Sequence, residues 1–124
     1  MNAVVKELLE KLKPLSGERV ELESQDYEGE ETEVSFVIFS EEEFTEGQIG
    51  YREDQEGNSL IGITVGDWLE SWYVIGYDES LGDPLFVDTA NELLPVLTAE
   101  HGAGIWEPII MFPSLDEFME AAKG

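Results

Sequence analysis

Apolar residues recur at the helical period only at the two ends of this chain, while between them they alternate or come in short runs broken by glycine, proline and acidic clusters. That arrangement points to a sheet built from the middle of the chain with a helix at each end, an α+β fold. At the start, Val4, Val5, Leu8, Leu9 and Leu12 share one face and Lys6, Glu7, Glu10, Lys11 and Lys13 the other, until Pro14 and Gly17 stop the pattern. The spacing predicts a docking helix over Asn2 to Lys13, with Lys11 and Lys13 placed where cations complement a helix dipole. At the other end Ser114 precedes Leu115 and stands three residues before Glu117, the pattern of a capping box. Leu115, Phe118, Met119 and Ala122 then make an apolar stripe, so a second helix is predicted over Leu115 to Lys123.

The middle reads as strands. Val20 and Leu22 alternate with charged residues, and beyond the turn-like Glu28-Gly29 the run Glu33 to Phe39 puts Val34, Phe36 and Ile38 on one face, which predicts an antiparallel hairpin. Glu41, Glu42 and Glu43 open a polar stretch broken by Gly47 and Gly50, and Asp54 to Ser59 carries a strong turn signal. A third strand is expected over the β-branched run Leu60 to Val65, and a turn at Asp67 to Trp72 leading into a strand through Tyr73, Val74, Ile75 and Tyr77. Gly82-Asp83-Pro84 makes a tight turn before a strand at Leu85 to Val87, Leu94 to Leu97 pairs beside it, and Ile105 to Phe112, interrupted by Pro108, suits an edge strand. No repeat or linker divides the chain, so one domain over residues 1–124 is expected, long enough for a core without staples.

Charge constrains the partners of such a domain. Asp and Glu number 29 against 6 Lys and Arg, a formal charge of −23, yet 42% of residues are hydrophobic and 10% aromatic, far from the composition of an acidic disordered tail. Between Glu53 and Ala122 the only basic residue is the mostly neutral His101, so phosphate neutralisation is poorly served and neither nucleic acid nor an anionic membrane is expected to bind. A basic protein domain is the expected partner. The chain has no cysteine, no signal-like start and no run of about 20 apolar residues, which fits a cytoplasmic protein.

Motifs for chemistry are sparse. His101 has no Gly-x-Ser-x-Gly elbow or cysteine to work with, and reads as a loop histidine beside Gly102. Asp78, Glu79, Asp83 and Asp88 crowd one stretch without the alternating order of a calcium loop, carboxylate pairs are expected by chance among so many acids, and Gly102-Ala103-Gly104 lacks the lysine and spacing of a phosphate loop. No catalytic residue, metal ligand or cofactor is therefore assigned. Trp68, Trp72, Tyr73 and Tyr77 lie among Asp67, Glu70, Asp78 and Glu79, a mixture that serves either as core or as an interface anchor ringed by charge.

Three segments, Tyr73-Val74-Ile75-Gly76-Tyr77-Asp78, Gly82-Asp83-Pro84-Leu85-Phe86-Val87-Asp88 and Phe112-Pro113-Ser114-Leu115-Asp116-Glu117-Phe118-Met119, together resemble the SUKH superfamily over roughly residues 72–119. Members typically show an I-G-x-D strand, a G-D-x-x-x-x-D strand entry and a closing S-F-x-E-F helix; the early L-P-x-x-Y and N-G-G signature of the family is not found in this chain. The resemblance implies a central twisted antiparallel sheet with helices outside it, and no catalysis. It also implies protein binding, since many bacterial relatives are immunity proteins against toxin domains, frequently nucleases, and others are regulators. The leading expectation is a non-enzymatic immunity protein that neutralises a basic toxin, with Glu41, Glu42, Glu43, Asp78, Glu79 and Asp83 as contact acids and Trp72 as an anchor. Asp83 reads equally as a cap of its own turn. The alternatives are a regulatory scaffold with an endogenous partner, or a small metal-binding protein or enzyme using the carboxylates from Asp78 to Asp88.

Overall fold

The computed structural model describes residues 3–25, 31–62, 66–79, 82–99, 105–106 and 108–123. Helix α1 (Ala3–Leu12) passes into a 3-10 turn (Lys13–Leu15), and strands β1 (Arg19–Gln25) and β2 (Glu31–Ile38) follow. After β2 come a short helix α2 (Glu41–Phe44) and a second 3-10 turn (Glu46–Gln48); the rest is β3 (Trp72–Asp78), β4 (Pro84–Asp88), β5 (Val96–Thr98), β6 (Ile109–Phe112) and α3 (Leu115–Lys123). The strands form one antiparallel sheet in sequence order, β1 to β6. Helix α3 touches both outermost strands, β1 and β6. Flat, such a sheet would separate those strands by about 24 Å at about 4.8 Å per step, roughly twice a helix diameter. The sheet must therefore curl around the helix.

Alternation along the strands divides the interior in two. On one face Val5, Leu8 and Leu12 of α1 and Leu115, Phe118 and Met119 of α3 meet Val20, Phe36, Ile38, Ile75, Leu85, Val87 and Val96. On the other, Trp68, Trp72, Val74, Phe86, Leu97 and Ala99 form a second cluster covered by Tyr51, Ile61, Leu69 and Trp106. Both predicted terminal helices are present and present these apolar stripes to the sheet, and at Ser114 the hydroxyl accepts the Glu117 N–H at 3.2 Å, one half of the expected capping box. The hairpin of β1 and β2 holds as expected, with Val20 opposite Phe36 and Leu22 opposite Val34; its turn at Glu28-Gly29 lies outside the described residues.

Three expectations change. Leu60 to Gly62 of the expected third strand, of which 63–65 lie outside the described residues, joins no ladder: Ile61 makes only an isolated bridge to Trp68 and packs into the second cluster. Along β3, β4 takes one margin, while on the other β2 pairs only from Gly76 to Asp78 and the Gln48 side chain bonds the Val74 backbone beyond it, so this run does not add a strand there. The polar stretch at Glu41 to Glu43 is helical, because Ser40 and Glu43 form a reciprocal capping box. Finally, Leu94 adopts φ 52°, a turn conformation, so β5 starts two residues later than the apolar run suggests.

Candidate functional site

The acids expected to contact a partner fall on two turns. At the β3–β4 turn the Asp78 N–H donates to the Asp83 carbonyl at 2.9 Å and the Gly82 N–H to the Asp78 carbonyl at 2.8 Å. Gly82 takes φ 75°, a region glycine enters without cost. Asp78 itself sits in the ladder opposite Phe36 and is only 8% exposed, which removes it from the accessible acids. Glu79 continues the chain beside β2, donating its N–H to the Ser35 carbonyl at 3.0 Å, while its carboxylate meets Arg19 Nε at 2.8 Å. Arg19 also reaches Glu21 at 3.1 Å and donates to Ser35 Oγ at 3.2 Å, so one cation ties β1, β2 and the turn together. Burial first, and the Asp83 carboxylate second, raise the Tyr51 hydroxyl above its ordinary pKa.

Glu41, Glu42 and Glu43 occupy the first turn of α2, where carboxylates oppose the positive end of the helix dipole. Ser40 N–H donates to Glu43 Oε1 at 3.0 Å and Glu43 N–H to Ser40 Oγ at 3.2 Å. The Ser40 backbone N–H first, and the Ser40 hydroxyl second, hold the Glu43 carboxyl below the ordinary glutamate range. Glu41 and Glu42 are exposed. The β2–β3 pairing runs from Phe36 opposite Asp78 to Ile38 opposite Gly76, with the β3–β4 turn beyond one end and α2 beyond the other. The two acidic turns thus flank the pairing rather than converge on one point.

Trp72, read from the sequence as either core or an interface anchor, is 5% exposed. Its ring meets Trp68 edge-on at 5.3 Å and Phe86 at 5.0 Å, and its carbonyl accepts the Trp68 indole N–H at 3.1 Å. It is a core residue of the free fold, as the size and apolar area of a tryptophan favour. The more accessible aromatics beside it are Tyr77, exposed and tilted against Phe39 at 6.1 Å, and Tyr73, half-buried.

Tyr73 marks a feature that local sequence patterns did not reveal. Two open grooves of about 460 and 500 Å³ share Ile61 and Tyr73 as lining residues, the first also bounded by Gln48, Arg52 and Glu53, the second by Leu69 and Glu70. The Arg52 guanidinium lies 3.9 Å from the centroid of the Tyr73 ring. It donates from Nη1 to the carbonyls of Glu70 and, at 2.8 Å, Trp72, and from Nη2 to the Tyr73 hydroxyl at 3.3 Å. Most of its donors are spent on fixing the loop before β3, a bracing role. Only the turn signal at Asp54 to Ser59 hinted at this loop: the Asp54 carboxylate accepts the N–H groups of Glu56 and Asn58, each at 2.9 Å, and is held below its ordinary pKa, chiefly by the Asn58 N–H.

Among the described residues no three His, Cys, Asp or Glu side chains gather in an arrangement able to hold a metal ion. Asp88, counted in the carboxylate-rich stretch, caps its own turn by accepting the Ala90 N–H at 2.9 Å. His101 and the Gly102-Ala103-Gly104 loop lie outside the described residues. No helix among the described residues is long and apolar enough to cross a membrane. No family model matches this chain, nor does any curated protein or solved structure.

Proposed function

We propose that this chain is a non-enzymatic protein-binding module of the SUKH type which docks a basic protein domain through its acidic surface, acting in the cytoplasm as an immunity protein against a toxin such as a nuclease. The observation that carries this reading is the charge of −23 on a folded α+β domain. Three of its six Lys and Arg residues are already engaged: Lys11 with Glu7 at 3.9 Å, Arg19 with Glu21 and Glu79, and Arg52 with backbone carbonyls. A surface of that kind repels phosphate polymers and draws cationic proteins into encounter.

Glu41 and Glu42 on α2, with Glu79 and Asp83 at the β3–β4 turn, are the contact acids of this reading, and Asp78 and Trp72 serve the interior. The SUKH resemblance of the sequence points the same way; the three segments that carry it lie at β3, β4 and the passage from β6 into α3. A nuclease carries a cationic surface for its own substrate, and an acidic protein occupying that surface would block it.

The test is capture on the immobilised chain from cells carrying the neighbouring genes, followed by association kinetics at two salt concentrations. A basic partner with strongly salt-dependent association supports the reading. Recovery of acidic or neutral partners only overturns it.

A further inference from the structure

Among the described residues strand β6 is the last in the sheet, and β5 alone pairs with it. Ile109 and Ile110 lie opposite Thr98 and Leu97 and therefore point to opposite faces, yet they are 45% and 62% exposed. Both faces of this half of the strand are partly open to solvent. Natural sheets usually blunt a free edge with charge, and β6 carries none across Ile109–Phe112, although Pro108 and Pro113 bracket it and limit its length. The acids come with the helix that follows. Helix α3 follows β6 directly, packs Phe118 against Phe112 at 5.5 Å, and exposes Asp116, Glu117 and Glu120.

We propose that the free margin of β6 is a strand-addition site, which takes an extended segment of a basic partner as a seventh strand of the sheet. Backbone pairing would supply affinity, Ile110 would receive the apolar side chains of one face of the added strand, and the α3 carboxylates, on the face of Ile109, would receive Lys or Arg of the other. A second copy of this chain is disfavoured as occupant, because it would bring another charge of −23 against the first. This inference rests on the reading of the protein as a binder of basic partners.

The probe is a capped Lys-Val-Lys-Val-Lys-Val-Lys peptide, titrated at low salt while backbone amide exchange is followed residue by residue. The expected result is binding with new protection confined to the β6 and β5 amides. Replacing both exposed isoleucines, I109S with I110S, should weaken affinity about tenfold or more, since it removes apolar contact and leaves charge untouched. Exchange on the unaltered protein gives the same answer without relying on the variant. Binding with protection elsewhere and unchanged affinity for the double variant would overturn strand addition while leaving the basic-partner reading standing. Absence of binding at low salt would overturn both. Protection of β6 that appears without peptide and grows with protein concentration would assign the edge to a second copy and overturn the proposal.

Discussion

The side chain of Gln48 exchanges two hydrogen bonds with the backbone of Val74, Nε2 donating to the carbonyl at 2.8 Å and Oε1 accepting the N–H at 2.9 Å. Pairing of β2 with β3 ends where Ile38 meets Gly76, and Phe39 adds one bond to the Ile75 carbonyl. Gln48, 6% exposed, then supplies the next rung, and its Nε2 also holds the Phe44 carbonyl at 2.8 Å. One amide therefore extends the central ladder past the end of β2 and fixes the wall of the groove that holds Tyr73.

Gln48→Leu should lower stability by about 1–3 kcal/mol, because it leaves buried backbone groups without partners. Urea unfolding measures this. Gln48→Glu makes a sharper test: a carboxylate facing two carbonyl oxygens has its pKa raised in the folded state, so its penalty is full above that value and shrinks as pH falls through it. A penalty that grew towards acid pH would contradict the assigned geometry.

Gly76→Ala should be poorly tolerated. A Cβ there would collide with the Val37 carbonyl oxygen, a backbone atom in the middle of the β2–β3 pairing, with Ile38 close behind. The expected cost is about 1–3 kcal/mol or more. Gly57→Ala, where a Cβ meets open space at φ 85°, isolates the backbone-strain contribution in the same unfolding assay.

Phe118→Ala should cost about 3–5 kcal/mol, since its ring is fully buried between α3 and the sheet. A change below about 1 kcal/mol would mean that α3 is loosely docked and that the curl of the sheet does not depend on it.

Ser40→Ala should move the Glu43 carboxyl up towards its ordinary range by removing the hydroxyl from the capping box. Because the folded-state value is depressed, this contribution is present above the ordinary glutamate range and is lost as pH falls through the folded value. Carboxyl NMR titration reads the shift directly.

The terminal helices were legible because each has an apolar stripe and a start or stop signal within its own dozen residues. Leu60 to Gly62 misled because a β-branched run becomes a strand only where a ladder forms, and here Ile61 bridges Trp68 while Gln48 takes the Val74 backbone. The S-x-x-E signature of Ser40 and Glu43 is present in the chain, but three consecutive glutamates carry no apolar period and mark only a polar stretch. Trp72 combines an apolar ring with acidic neighbours in sequence, and its burial follows from contacts with Trp68 and Phe86 that local spacing does not specify. Gln48 and Arg52 had no local signature, since apart from the Phe44 carbonyl, four residues from Gln48, their partners lie 18 to 26 residues away.

The most direct test of the central claim is the association rate of the purified chain with its captured basic partner at low and high ionic strength, for the unaltered protein and for E41K with E42K. The account predicts an association rate that falls steeply with salt and is slowed by the charge reversal, with little change in dissociation. An association rate indifferent to salt and to both substitutions would contradict it.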